Sequence, residues 1–169
     1  QKRILFTGNL ARYQGIELLL QAFAQVIRLK PDVRLVIAAN DSFQPYEPLA
    51  CELGVRASID LLPAPEFDRL PTILAGADVM VNPRTECAGL PVKLLNYMAA
   101  SKPVVSFAAA APGVEHGRTG WLVADADASA FAEGILAILD DPHLADELGR
   151  GARRYVEANC RWPAIAERV

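Results

Sequence analysis

The sequence predicts an α/β fold: a doubly wound, Rossmann-like parallel sheet of about six strands flanked by helices, followed by a helical C-terminal tail. Three observations lead there. Short β-branched and aliphatic runs alternate with helical patterns, as stacked βα units do. The runs Leu35-Val-Ile-Ala38 and Val79-Met-Val81 are almost wholly apolar, as parallel strands covered on both faces must be. Finally, 169 residues that are 52% hydrophobic and 22% charged supply one sizeable core, so we expect a single domain over residues 1–169 and no extended disorder.

In chain order the strands are expected at Arg3–Thr7, Arg34–Ala38, Ser58–Leu62, Val79–Val81 and Val104–Phe107, with a shorter one at Trp121–Val123. Helices are expected near Ile16–Leu29, Pro45–Leu53, Asp68–Ala75 and Leu90–Ala100. In the first of them Leu19, Leu20, Phe23, Val26 and Ile27 recur at helical spacing and form a core-facing stripe. Beyond Asp127 the pattern turns helical, with Ala130–Leu139 and then a helix opened by Pro142 that runs to about Ala158. A last segment from Trp162 reads as packing and as a crossing element toward a partner domain.

Charge and cysteine usage narrow the function classes. A net charge of -3 gives no field to gather nucleic acid or anionic lipid, so any phosphate must be met locally. Cys51, Cys87 and Cys160 lack the spacing of a zinc site or a disulfide framework, which suits a cytoplasmic setting. No apolar run approaches the roughly 20 residues of a membrane helix. The chain opens on a strand without a preceding methionine, and we expect it to be part of something longer.

Ligands of open α/β sheets bind outside the carboxyl ends of the strands, so the loops that matter are known in advance. After the first strand comes Thr7-Gly-Asn-Leu-Ala-Arg-Tyr-Gln-Gly15. Gly8 and Gly15 can let backbone approach a phosphate and Arg12 can offer a bidentate guanidinium; alternatively the glycines only turn the chain and Arg12 is solvated. After the fourth strand, Asn82-Pro-Arg-Thr-Glu-Cys-Ala-Gly-Leu-Pro-Val-Lys93 puts a carboxylate, two cations, a glycine and a proline at one strand-to-helix junction. Glu86 can accept from sugar hydroxyls, and the amides around Gly89 and Leu90 can point along the helix axis at an anion. Lys93 and Asn96 are one helical step apart and can both face the cleft. The bland alternative is a helix start with Pro91 in its first turn, Lys93 solvated and Asn96 a surface amide. His116, His143, Trp121 and Trp162 read as surface or packing residues, and no Ser/His/Asp or Cys/His constellation is visible by spacing.

In their order these segments resemble group 1 (family 4-like) glycosyltransferases of the GT-B fold. The resemblance runs from Ile4 to about Val169 through Gly8-Asn-Leu10, Gly15 at the first helix, Ala75-Gly-Ala-Asp78 and Pro83-Arg-Thr-Glu-Cys-Ala-Gly-Leu-Pro-Val92. It continues through Tyr97-Met-Ala-Ala-Ser-Lys-Pro-Val-Val105 and His116-Gly-Arg-Thr-Gly-Trp-Leu-Val123. The resemblance implies the C-terminal, donor-binding domain. Such a domain holds a UDP- or GDP-sugar against an N-terminal acceptor domain of the same full-length chain, which would lie in the cytoplasm or at the inner membrane face. It further implies transfer with retention of configuration, no catalytic metal and no cofactor, the nucleotide-diphosphate sugar being a substrate.

By position, Glu86 matches the first glutamate of the family's paired-glutamate motif, expected near the donor sugar. Gly89, Leu90 and Pro91 match the helix start that meets phosphate and sugar, and Leu62-Pro63-Ala64 matches the loop whose backbone reads the base. Three positions depart from the pattern. The second glutamate, expected on the ribose, corresponds to Leu94 by strict spacing or, as we prefer, to Asn96. Asn9 and Gln14 stand where two cations usually face the diphosphate, which leaves Arg12, Arg84 and Lys93 as candidate replacements. Those departures motivate a rival, a GT-B-like domain that binds a nucleotide or partner without catalysis; a sugar-nucleotide epimerase is a second rival that the motif order disfavours.

Overall fold

Alternation of side chains along parallel strands gives this chain two buried sheet faces, and the helices divide between them. The computed structural model describes residues 1–87, 89, 91–124 and 126–160. Its strands are β1 (Arg3–Thr7), β2 (Arg34–Ala38), β3 (Ile59–Leu62), β4 (Val79–Asn82), β5 (Val104–Phe107) and β6 (Trp121–Val123), all parallel in the order β3-β2-β1-β4-β5-β6. The helices are α1 (Ile16–Leu29), α2 (Glu47–Glu52), α3 (Leu70–Ala75), α4 (Val92–Ala99), α5 (Ala128–Asp140) and α6 (Pro142–Asn159).

On one face Ile4, Phe6, Leu35, Ile37, Val79, Val81, Val105 and Phe107 pack with α1, α2 and α5. On the other, Leu5, Val36, Ala38, Met80 and Val104 pack with α3, α4 and α6. Leu19, Leu20, Phe23 and Val26 of the α1 stripe have no exposed surface, while Ile27 is partly buried at its margin. Each fully buried side chain of this kind contributes roughly 1.5–3 kcal/mol. Asp127 caps α5 by accepting from the amides of Ser129 and Ala130, and Asp141 caps α6 in the same way ahead of Pro142. Among the described residues no helix is long and apolar enough to cross a membrane.

The expected elements form, with differences at their ends. Residues Arg56–Ser58 close a 3-10 turn, so β3 starts at Ile59 rather than Ser58. The helix expected from Pro45 divides into a 3-10 turn at Gln44–Tyr46 and α2, and Pro48 sits at the start of α2, where its missing N–H costs nothing. α3 starts at Leu70 rather than Asp68, with Pro71 in its first turn. α4 starts at Val92 rather than Leu90, because Pro91 is the extended N-cap residue. The segment from Trp162 lies outside the described residues.

The chain leaves β1 toward β2 and β3 and returns past it to β4, so β1 and β4 flank the switch point where such sheets open a crevice. Two loops meet there through Gly15. This residue has φ +70°, and a β-carbon added to it would lie 2.0 Å from the Pro83 carbonyl oxygen. Gly15 therefore lets the first loop pack closely on the second. We predict that Gly15→Ala destabilises the fold by about 2 kcal/mol or more in urea denaturation. Gly54→Ala, at φ +69° with open space around it, is expected to cost only ~1 kcal/mol.

Candidate functional site

The first loop is held by its own side chains. Gly8 N–H donates to the Ala38 carbonyl at 3.1 Å and extends the sheet ladder, so this amide is engaged within the sheet. Leu10 N–H donates to Asp41 Oδ2 at 2.6 Å, and Tyr46 O–H donates to the Leu10 carbonyl at 2.6 Å. Asn9 Oδ1 accepts from Ala11 N–H and from Gln14 Nε2, both at 3.2 Å, and Asn9 Nδ2 donates to Tyr13 Oη at 3.0 Å. Gln14 is buried, and its Oε1 accepts from Lys93 Nζ, which reaches across from the first turn of α4. The two amides standing where cations were looked for therefore orient a cation supplied from elsewhere.

Lys93 is partly buried, and its ammonium lies 4.3 Å from the centroid of Phe6, beside Gly8. Among the described residues it has no carboxylate partner; its one hydrogen bond is to a neutral amide oxygen. Burial, and next the nearby Arg84 charge, push its pKa down to about 7. Arg84 comes from the second loop, with its guanidinium carbon 4.7 Å from the centroid of Tyr13 and its Nε donating to the Glu86 carbonyl. Two cations thus converge at the mouth of the β1/β4 crevice. A partly desolvated ammonium without a carboxylate partner, with a second cation nearby, is electrostatically suited to an anion.

The remaining candidates fall around this pair. The Glu86 side chain is exposed and makes no hydrogen bond among the described residues. Arg12 is exposed and lines a hollow of about 120 Å³ with Glu17, Tyr46 and Thr85. The Gly89 carbonyl accepts from Cys87 Sγ at 2.7 Å, and because α4 begins at Val92 rather than Leu90, Gly89 lies outside the helix's first turn. Leu90 lies outside the described residues, and Pro91 is buried at the N-cap position. Asn96 parts company with Lys93: it lines an apolar groove of about 240 Å³ with Phe67, Leu70, Pro71 and Leu74 of the α3 side. Three residues advance a helix by about 300°, so the two side chains diverge by ~60°, and here Lys93 turns to β1 while Asn96 turns to α3.

At the end of β3, Pro63 and Ala64 line a pocket of about 400 Å³ with Leu62, Pro65, Glu66 and Arg69. Ala64 N–H donates to Asn40 Oδ1 at 3.0 Å.

A family model described as glycosyl transferases group 1 matches residues 1–141. The chain belongs to that family. A GDP-mannose-dependent monoacylated alpha-(1-6)-phosphatidylinositol monomannoside mannosyltransferase of Corynebacterium glutamicum is 29% identical over 174 residues, covering 98% of this chain and 45% of that protein. The sucrose-phosphate synthase of Thermosynechococcus elongatus superposes with TM-score 0.89 at 28% identity, over 99% of this chain and 43% of that one. Anabaena HepE in complex with UDP-glucose superposes with TM-score 0.83 at 20% identity over 97% of this chain and 45% of that one, a likeness of fold alone. The chain spans less than half the length of each.

Several residues of this glycosyltransferase domain that shape the site were not singled out from sequence. Tyr97 has no exposed surface, and its hydroxyl lies 2.8 Å from Thr7 N–H, which it accepts from, and 2.9 Å from Thr7 Oγ1; burial pushes its pKa up to about 12. It pins the last residue of β1 to α4. Tyr13 and Asn40 hold Arg84 and Ala64, and buried Asn82 donates to Ser106 Oγ at 2.9 Å and the Ala110 carbonyl at 3.1 Å. Position at or just past a strand's carboxyl end is a signal that would have marked Asn82 and Asn40; Tyr97 sits in an apolar helical stripe that hides it. His116 is a structural residue, its Nδ1 accepting from Leu122 N–H at 3.1 Å with its ring 4.9 Å from that of Trp121.

Two outcomes are expected. Tyr97→Phe leaves the buried Thr7 N–H without its acceptor and should cost about 1–3 kcal/mol in equilibrium denaturation. Lys93 binds its proton less readily folded than unfolded, so between pH 7 and its ordinary 10.5 the unfolded chain carries more protons and stability rises with pH. In phosphate-free buffer, Lys93→Met should flatten that rise and be the more stable protein at pH 6 by ~1–3 kcal/mol.

Proposed function

We propose that this domain holds a nucleotide-diphosphate sugar donor for glycosyl transfer, with Lys93 and Arg84 neutralising the diphosphate at the β1/β4 crevice. The observation that carries the reading is the Lys93 ammonium, desolvated beside Gly8 with no carboxylate to pair it. Such a charge is unfavourable in the empty site and becomes favourable when an anion arrives. A diphosphate leaving group needs the same stabilisation as it departs, and preorganised cations supply it without reorganisation. Glu86, on the loop beside Arg84, serves the donor sugar by accepting from its hydroxyls, and the β3-end pocket takes the base.

Retention at the anomeric carbon follows the resemblance. The acceptor is held by another domain of the full-length chain, so this domain alone binds without turnover. Family membership supports the donor class; the base stays open between the GDP-mannose dependence of the Corynebacterium relative and the UDP-glucose bound by HepE. The rival, binding without catalysis, draws on Asn96, whose place in the α3/α4 groove sets it apart from the cations. Product formation by the full-length protein excludes that rival.

Two tests follow. Calorimetric titration with a nucleoside diphosphate in buffers of different ionisation heat should show proton uptake above pH 7, because the bound anion restores the charged form of Lys93, and affinity should fall as pH rises from 7 to 9. Lys93→Met should weaken binding by roughly tenfold or more; unchanged affinity sinks the diphosphate assignment. In the full-length enzyme Glu86→Ala should lower turnover on the order of a hundredfold, and unaltered turnover removes Glu86 from the reaction.

A further inference from the structure

The pocket at the end of β3 has an unusual balance of donors and acceptors. Pro63 and Pro65 have no backbone N–H, and the Ala64 N–H is already given to Asn40 Oδ1 at 3.0 Å. From residue 63 to 65 the chain can offer a ligand carbonyl oxygens and nothing that donates. The next residue adds a further acceptor, because Glu66 lines the same pocket and its side chain makes no hydrogen bond among the described residues. Leu62, Pro63, Pro65 and Ile73 supply apolar walls, and the volume of about 400 Å³ admits a nucleobase of either size. The pocket's side-chain donor is the Arg69 guanidinium.

Such a lining discriminates between bases by their edges. Guanine presents two adjacent donors, N1–H and N2–H2, which match the two oxygens of one carboxylate, while its O6 and N7 lie side by side for a guanidinium. Uracil presents a single N–H between two carbonyl oxygens. Set against a carboxylate and a run of backbone carbonyls, those oxygens meet like charge on both sides. Backbone reading of uracil needs an amide on this loop; Pro63 and Pro65 have none and that of Ala64 is engaged, which leaves that of Glu66, the residue whose carboxylate opposes the uracil oxygens.

We propose that this pocket selects guanine, with Glu66 accepting from N1–H and N2–H2 and Arg69 donating to the O6/N7 side. The assignment rests on the reading of Lys93 and Arg84 as the diphosphate site and names the donor's nucleotide as GDP. Glu66 and Arg69 stand on the solvent side of the loop before α3, where neither supports the core. Asn40 acts at one remove: by occupying the Ala64 amide it removes one donor that a uracil could use.

The experiment is calorimetric titration of the chain with GDP, UDP and ADP. GDP should bind at least tenfold more tightly than UDP or ADP, about the worth of one charged hydrogen bond. Glu66→Gln should bring GDP down to within about threefold of UDP while leaving UDP unchanged or slightly stronger, since the new amide can donate to a carbonyl. Asn40→Ala, which frees the Ala64 amide, should narrow the preference by strengthening UDP. Equal binding of GDP and UDP, or a preference that survives Glu66→Gln, overturns the guanine assignment; if Lys93→Met then still weakens both nucleotides, the diphosphate site stands without it. Failure of all three nucleotides to bind overturns both.

Discussion

Placing Lys93 in the crevice between β1 and β4 removes an ammonium from water without giving it a carboxylate, and the surrounding loops are arranged to tolerate that cost. Gln14 accepts its hydrogen bond, Phe6 lies under it, and Asn9 orients Gln14 in turn. Burial, and next the Arg84 charge, hold the pKa of the lysine down. The ammonium therefore keeps an unsatisfied charge, the feature on which the proposed diphosphate site rests.

The same crevice depends on two contacts that involve no charge. Gly15 lets the first loop close on the Pro83 carbonyl, and Tyr97 ties the end of β1 to α4. α4 also carries Lys93, whose ammonium meets Gln14 of the first loop. A polar side chain buried for this purpose is positional: it fixes one arrangement of a strand end and a helix among several that would bury similar apolar area.

At the base end the geometry works by what it withholds. Two prolines and an engaged amide leave a run of acceptors, and Glu66 and Arg69 add one charge of each sign. Charge is therefore divided along the crevice, cationic where phosphate is expected and amphoteric where the base is expected. Neither end needs a strong overall field, in keeping with a chain of net charge -3.

Much of this was legible beforehand. Apolar runs such as Leu35-Val-Ile-Ala38, the α1 stripe and the opening of a helix at Pro142 are local signals, so the elements, the parallel sheet and the loops at its carboxyl edge followed from the sequence alone. Lys93 and Arg84 were among the candidates for the same reason. What the tertiary structure decided is which candidates meet. Gln14 and Lys93 are 79 positions apart and Thr7 and Tyr97 are 90 apart, and no periodicity encodes such pairings. Only the fold could give Gly15 to Pro83, turn Asn96 away toward α3, and engage Ala64 with Asn40, because each depends on strand register and helix rotation that long-range packing sets.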